Sequence, residues 1–460
     1  MNMGGVMLAL LGFLTVAFML FVIMTKRLSP LVALIIVPIV TGLIACAFIS
    51  IGTDGKIIQG VDVNYLSNVK MLGKMISGEK GIGSVASTGV MFIFSILFFG
   101  VLTDAGTFRP IIKKIIDVVG QDPIKIAVGT AILTAIVHLD GSGAVTFLVC
   151  VPALLPLYDS IGMKRTTLAT IAALSAGTMN VLPWGGPTIR ASSALGENNV
   201  MNFFRPVLPA FFTGFVAVIL ISIFLGKKEK KELGFNNVKN NTEFNIELTE
   251  KEKMLEKPQL FWTNIVLIIF AILFLLFSGL PPAVVFMIFY VIATVLNYPN
   301  VEESKERVDD HAKSALMMCS VLFAAGCFTG VMQGTGMIKA MSDALISIIP
   351  HSLGKYFAII VGIIGMPASL LFDPDSFYFG VLPVLSQTAS EFGVAASNVG
   401  RAAILGQMSL GFPISPLTAS TFLLVGLAGV ELGDHQKKTI PLLWLVSLIM
   451  VLVAFLTGAI

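Results

Sequence analysis

The chain has 460 residues, 56% of them hydrophobic and only 12% charged, with a formal net charge of +3. Soluble domains carry roughly a quarter charged residues, so this balance excludes an ordinary soluble enzyme and predicts an all-α polytopic membrane protein. The small basic excess lies in loops, where it reports topology and gives no sign of a nucleic-acid partner.

An apolar run at 4–24 opens the chain. It lacks a basic leader and a small-residue cleavage site, and Lys26 and Arg27 follow it. This predicts a retained first helix with its N-terminus outside. Uninterrupted spans follow at 29–52 and 83–103, each long enough for about 30 Å of hydrocarbon. Between them the outside loop 53–81 has four lysines and three acids. An amphipathic stretch at 108–119 is expected at the interface.

Residues 126–158 are apolar around a polar centre, HLDGSGAVTF (138–147). That predicts a re-entrant hairpin, because irregular backbone at membrane depth is tolerated only against protein or a water-filled cavity. Residues 166–196 read as a crossing broken at Pro183, Gly185, Gly186 and Pro187, and a plain span at 206–225 follows. The stretch 226–258, with eight lysines and seven glutamates, reads as a solvated cytoplasmic tether.

The same order then returns. Spans are expected at 260–279, 281–297 and 314–335, an amphipathic stretch at 337–347, and a second hairpin at 356–390 centred on FDPDSFYFG (372–380). A broken crossing at 402–430 and a last span at 439–460 complete it. Shifting the sequence by 230 residues places Gly100-Val101 on Gly330-Val331, Gly106 on Gly336, Pro183 on Pro413, Thr188 on Thr418 and Gly196 on Gly426. A repeat with interrupted helices at matching places is a transporter pattern.

The expected units are therefore a first repeat at 1–225, the linker 226–258 and a second repeat at 259–460. Each has five transmembrane segments, one discontinuous, and one re-entrant hairpin. Five crossings per half is an odd number, so the second repeat is inverted relative to the first. Lys26/Arg27, Arg109/Lys113/Lys114, Lys164/Arg165, Lys305/Arg307 and Lys437/Lys438 then share the cytoplasmic side with the linker. Both termini lie outside in a multi-pass plasma-membrane protein.

Inside the apolar segments charge is confined to Asp140, Asp373, Asp375 and Arg190, with His138 nearby. An ionisable group at that depth is a functional-site hypothesis by default. A capping role is compatible with it, since Asp before a helix start satisfies free N–H groups. Two hairpin tips carrying acids at equivalent positions are expected to meet near the midplane. The breaks NVLPWGGPTIRASSALG (180–196) and GFPISPLTASTFLLVG (411–426) leave backbone groups unpaired. Free N–H groups at a helix start attract anions, and free carbonyls with Asp, Ser or Thr oxygens suit hard cations. His138 reads as a buried, satisfied histidine or a proton carrier. Arg190 reads as a partner for a substrate carboxylate or a protein acid, or as an interfacial residue. Trp184 reads as a wall of the cavity.

Cys46, Cys150, Cys319 and Cys327 sit in apolar stretches without metal-ligand spacing and read as small buried residues. No P-loop is present, so energy is expected from an ion gradient. No cofactor is expected.

At these motifs the chain resembles the CitMHS family of citrate–divalent-metal/proton symporters, within the wider ion-transporter superfamily. The resemblance rests on LGFLTVAFMLFVIMTKRLSPL, FFGVLTDAGTF, HLDGSGAVTF followed by PALLPLY, MNVLPWGGPTIRASSAL, FYFGVLPVL and STFLLVGLAGVELGDHQKKT, in order along nearly the whole chain. It implies uptake of citrate complexed with Mg2+ or Ca2+, driven by protons. It also implies a homodimer with a fixed scaffold and an elevator-type transport domain.

Carried over by motif, the substrate site takes Asp140, Ser142 and Thr146 from the first hairpin and Asn180, Gly185, Gly186 and Thr188 from the first break. Asp373, Asp375, Ser376, Ser415 and Thr418 come from the second half. Asp140 and Asp375 are the expected proton or coupling-ion carriers, and the metal arrives with the substrate. One departure stands out: the family's first hairpin usually carries a second acid, as in LDGDG, where this chain has Ser142. A proton- or Na+-coupled transporter of another carboxylate without metal is the alternative. A passive channel and a membrane enzyme are the rivals from other classes; for the enzyme, no nucleophile–base set accompanies the acids.

Overall fold

The computed structural model describes residues 3–25, 27–47, 49–51, 57–58, 64–79, 81–197, 199–233, 250–347 and 351–460. Helices dominate. Among the described residues the only ladder is a two-residue antiparallel pair, Ser50–Ile51 against Ile57–Ile58. Eight described helices are long and apolar enough to cross a membrane, and four shorter apolar helices accompany them. The all-α polytopic expectation holds.

The helices fall into two packing groups. In the first, Val301–Gly334 lies against Ile82–Asp104 and Pro30–Ala45, Ile82–Asp104 lies against Pro282–Asn297, and Met3–Met24 lies against Met337–Ile346. Lipid tails are as apolar as leucine, so close backbone approach at small residues drives such packing. Gly326 and Gly330 show it: a Cβ on the first would lie 2.9 Å from Ile82 Cα, and on the second 2.7 Å from Met75 O. The second group gathers both hairpins and both broken crossings with Met201–Glu232 and Leu432–Leu456, and it meets the first where Leu382–Glu391 lies against Met337–Ile346.

Two stretches of the chain show a matching order of elements. Ile82–Asp104 is followed by Arg109–Val119, and Val301–Gly334 by Met337–Ile346. The turn between them is made both times by a glycine at φ +74°, Gly106 and Gly336. Only glycine takes that left-handed backbone without a Cβ penalty, which explains the 230-residue coincidence at this place.

Four boundaries differ from the sequence expectation. The span at 29–52 ends as helix Pro30–Ala45, because Asn68 Nδ2 donates to the freed carbonyls of Cys46 (3.0 Å) and Ile49 (2.5 Å). That asparagine belongs to a second departure, the helix Tyr65–Ser77, inside what reads as loop 53–81. The helix expected at 314–335 begins at Val301, so its charged first turns are helical too. Arg307 there is 1% exposed and donates to Asp104 Oδ2 at 2.9 Å. Finally, Met201–Glu232 carries helix well into the tether. Glu229 on that extension is buried, accepting from Lys164 N (3.2 Å) and Thr167 Oγ1. Residues 234–249 of the tether lie outside the described residues.

Candidate functional site

The first hairpin is Pro123–Val137 and Gly143–Ile161 joined by the short 3-10 turn His138–Asp140. Gly141 (φ +75°) reverses the chain, and Ser142, in extended backbone, caps the second arm by accepting Val145 N at 3.4 Å. Asp140 Oδ1 accepts Ser142 N at 2.8 Å, which holds the tip closed. Asp140 and Ser142 are half-buried. Thr146 and His138 are fully buried. Thr146 donates its proton to Ser142 O at 2.7 Å, so His138 Nδ1, 2.8 Å from Thr146 Oγ1, is the donor in that contact.

The second hairpin, Phe357–Ala368 and Leu382–Glu391, has a different tip. Asp373 Oδ1 accepts Asp375 N (3.0 Å) and Ser376 N (3.1 Å), and its Oδ2 takes the Ser376 hydroxyl. Asp373 thus caps the π-helical turn Ser376–Val381. Asp375 Oδ1 accepts Arg190 Nε at 2.7 Å, and the two side chains are only 11% and 14% exposed.

The first break separates Arg165–Met179 from Gly186–Ala194. Within it Thr188 Oγ1 donates to Val181 O at 2.8 Å. Gly185 is required by space, since a Cβ there would stand 2.1 Å from Asn180 O. Asn180 Nδ2 reaches across to Met408 O at 3.0 Å, tying this break to the second. The second break separates Ala396–Ile404 from Ala419–Ala428. Ser415 Oγ donates to Ser369 O at 2.5 Å. Thr418 and Thr421 both donate to Phe412 O, at 2.6 and 2.7 Å.

Hairpins and breaks cross over. The tip of the first hairpin meets the first break through Trp184, whose Nε1 donates to Leu139 O at 2.7 Å. It also leans on the second break: Phe412 stacks on His138 and Phe147, each at 5.9 Å between ring centroids. The second hairpin packs on Ala396–Ile404 and, through Asp375 and Arg190, on Gly186–Ala194. Trp184 packs as well on Phe99 and Phe286 of the first packing group, each 5.7 Å away.

The expected site residues are therefore assembled in one connected core. Among the described residues, however, no hydrogen bond or ion pair joins the two tips directly. Of the expected donors, Thr146, Thr188, Ser376 and Ser415 are fully buried and bonded within the protein, whereas Asp140, Ser142 and Gly186 keep partial exposure. Of four residues that organise this core, only Tyr378 lies in a motif, FYFG. Gln407 Oε1 accepts from the Ser369 hydroxyl, Met408 N donates to Ser369 Oγ (2.8 Å), and Tyr378 OH donates to Gln407 O (2.6 Å). Gln407, an amide alone in an apolar stretch, was the readable signal among them.

Comparison with known proteins places this arrangement. The family model for the CitMHS citrate transporter matches residues 19–406. A citrate transporter of Bacillus subtilis (strain 168) is 42% identical over 99% of this chain and 100% of its own length. The Mg(2+)/citrate complex secondary transporter of the same organism is 39% identical over 99% of both chains. Among solved structures, the Alcanivorax borkumensis YdaH transporter superposes with a TM-score of 0.61 over 94% of this chain and 98% of that one. At 16% identity that likeness speaks for the fold alone. Paired hairpins and broken helices in one core, and a match from Met19 into the second break, lead to one assignment: the chain belongs to the CitMHS family of citrate transporters, which are secondary transporters and not enzymes.

Proposed function

We propose that the protein imports citrate as a complex with a divalent metal ion of the Mg2+ or Ca2+ type, in symport with protons, by alternating access. One observation carries the reading. The half-buried Asp140–Ser142 tip, with an oxygen of Asp140 to spare, adjoins the start of Gly186–Ala194 through Trp184. A carboxylate beside free helix N–H groups suits a ligand with both cationic and anionic parts. The name of the Mg(2+)/citrate relative agrees with it. Citrate carries about three negative charges near neutral pH, and one divalent metal leaves a net charge near −1, far cheaper to desolvate than the free trianion.

In this reading Asp140, Ser142, Asn180, Gly185 and Gly186 face the complex. Thr146, Thr188, Asp373, Ser376, Ser415 and Thr418 hold the hairpins and breaks in shape around it. Asp140 faces the metal or takes the coupling proton. Asp375 joins the site when Arg190 turns to a substrate carboxylate. The two packing groups correspond to a scaffold and an elevator-type transport domain built from inverted repeats 1–225 and 259–460, in a plasma-membrane homodimer with both termini outside.

The test is labelled-citrate uptake into proteoliposomes under an inward proton gradient, with Mg2+, Ca2+ or a chelator outside. Metal-dependent, gradient-driven accumulation is the expected result. Uptake unchanged by chelator would replace this reading with a second one: another di- or tricarboxylate carried without metal, favoured by Ser142 at the position where the family usually has a second acid.

A further inference from the structure

Behind the second break lies a buried polar chain that the site described above does not use. His435, on the first turn of Leu432–Leu456, places Nε2 2.9 Å from Pro413 O in the break. Its Nδ1 lies 3.2 Å from Thr439 Oγ1. Thr439 Oγ1 lies 2.8 Å from Thr170 Oγ1 on Arg165–Met179. Thr170 Oγ1 lies 2.7 Å from Thr166 O. His435, Thr439 and Thr170 have no exposed surface.

Counting protons along this chain gives an imbalance. Four contacts need four protons, and the two carbonyls supply none. Each hydroxyl supplies one and a neutral imidazole supplies one, which makes three. With His435 neutral, either Thr439 turns its proton to Nδ1 and Thr170 turns its own away from Thr166 O, or one contact stays empty. With His435 doubly protonated every contact holds one proton. Burial opposes the charged ring, and the loss of one hydrogen bond from the chain opposes the neutral one. The two states are set against each other at one position, and histidine is the side chain that changes charge in the physiological range.

The surroundings supply charge of both signs. Arg165–Met179 contributes Arg165, which is paired with Asp159 at 2.7 Å. Met201–Glu232 contributes Glu229, buried against Thr167. His435's own helix contributes Lys438, which also bonds Thr167, and the exposed Asp434 and Lys437. Phe357–Ala368 and Ala419–Ala428, the other helices packed on it, carry no charged side chain. Pro413 adjoins Phe412, on which the first hairpin rests. His435 thus contacts the break that braces Asp140's hairpin.

We propose that His435 is a proton-binding site of the transport core: protonation completes the Pro413–His435–Thr439–Thr170 chain and fixes the second break in the form shown. As a coupling site this rests on the proton-symport reading. It places a positive charge in the moving body that offsets the net negative charge of the metal–citrate complex.

Two measurements test it. The first is nitrogen-15 NMR of histidine-labelled protein in lipid nanodiscs, with His435 assigned by its loss in His435→Gln. The ring is expected to pass from neutral to doubly protonated as the pH is lowered over the range in which the protein stays folded. In Thr170→Val, which frees Thr439's proton for Nδ1 and satisfies the neutral ring, the titration should shift down by about 0.5–1 pH unit. A ring that stays neutral at every pH at which the protein stays folded, or an unchanged midpoint in Thr170→Val, overturns the protonation site. The second is the pH dependence of Mg2+–citrate affinity. His435→Gln is expected to reduce the slope by about one proton, a tenfold change per pH unit. A wild-type slope in that variant overturns the coupling role. Wild-type protein that binds no Mg2+–citrate overturns the symport reading instead, while the titration still decides whether His435 takes a proton.

Discussion

The tip of the first hairpin keeps its acid half-buried, with one backbone N–H on Asp140 Oδ1. The tip of the second commits its acids to four contacts, from Asp375 N, Ser376 N, the Ser376 hydroxyl and Arg190 Nε. Both turning points thus carry carboxylates, with unlike tasks. A carboxylate with an oxygen to spare is ready to meet a ligand. One that caps its own helix, or pairs with a buried guanidinium, holds a shape until something displaces the partner. On the proposed reading the two halves contribute differently to one site: the first offers chemistry, and the second offers a braced frame with a latch at Asp375–Arg190.

The largest expected effect separates these tasks. Asp140→Asn should leave stability within about 0.5 kcal/mol of wild type, since its backbone contact survives in the amide. It should lower citrate uptake by roughly thirtyfold or more, because losing one partner of a buried charged contact costs about 2–5 kcal/mol. Uptake and thermal melting measured on one preparation decide it; wild-type uptake would remove Asp140 from the site.

Asp375→Asn should behave the other way, through stability. It strands Arg190, which is 14% exposed in its side chain. Breaking a fully buried pair costs about 3–5 kcal/mol, and the residual exposure puts this one at the low end. The double variant Arg190→Gln/Asp375→Asn should recover most of that loss. A double-variant cycle read by melting in nanodiscs checks it, and purely additive losses would mean that the latch holds nothing.

A third effect compares how each hairpin leans on the second break. A Cβ on Gly143 would meet Phe412 Cε2 at 2.5 Å, and one on Gly411 would meet Ser369 Oγ at 2.0 Å and Ser369 Cβ at 2.3 Å. Gly143→Ala and Gly411→Ala should each cost about 1–3 kcal/mol by overpacking. Their relief should differ. Phe412→Leu removes the ring atoms that Gly143→Ala meets and should restore stability. Ser369→Ala keeps the Cβ that Gly411→Ala meets and should not.

The sequence makes the turning points legible, and the physics shows why. An acid, a serine and glycines inside long apolar runs have few explanations at membrane depth, so HLDGSG and FDPDS point to hairpin tips. Proline and glycine clusters likewise mark the breaks. Partner choice is not legible in the same way. Ser415 and Thr418 read as ligand oxygens, but Ser369 O and Phe412 O take their protons. Arg190 reads equally well as a substrate contact, and only the fold brings Asp375 to it. The tether misleads for a related reason. A run of lysine and glutamate reads as solvated, and nothing local shows that Thr167 and Lys164 N wait for Glu229.

The smallest effect lies where the hairpins begin. The first arm of the first hairpin starts at Asp122, whose Oδ1 accepts Ile124 N at 2.9 Å while Oδ2 meets Lys230 Nζ at 2.9 Å. The first arm of the second hairpin starts at Tyr356 with no side-chain cap. Burial raises the Asp122 carboxyl, but the Lys230 and Ile124 hydrogen bonds outweigh it and hold the group below the ordinary carboxylate value. A depressed carboxylate contributes stability above its unfolded value, and that stability is lost as pH falls through the folded one. The cap is thus fully present at neutral pH and disappears only in acid. Asp122→Ala should cost about 1 kcal/mol for the cap, with little added for the partly exposed lysine pair. Hydrogen exchange at neutral pH should show the opening turn near Ile124 exchanging roughly fivefold faster, with the turn after Tyr356 unchanged. Equal protection in wild type and Asp122→Ala would mean that packing on Met201–Glu232, rather than the cap, fixes where the first hairpin enters.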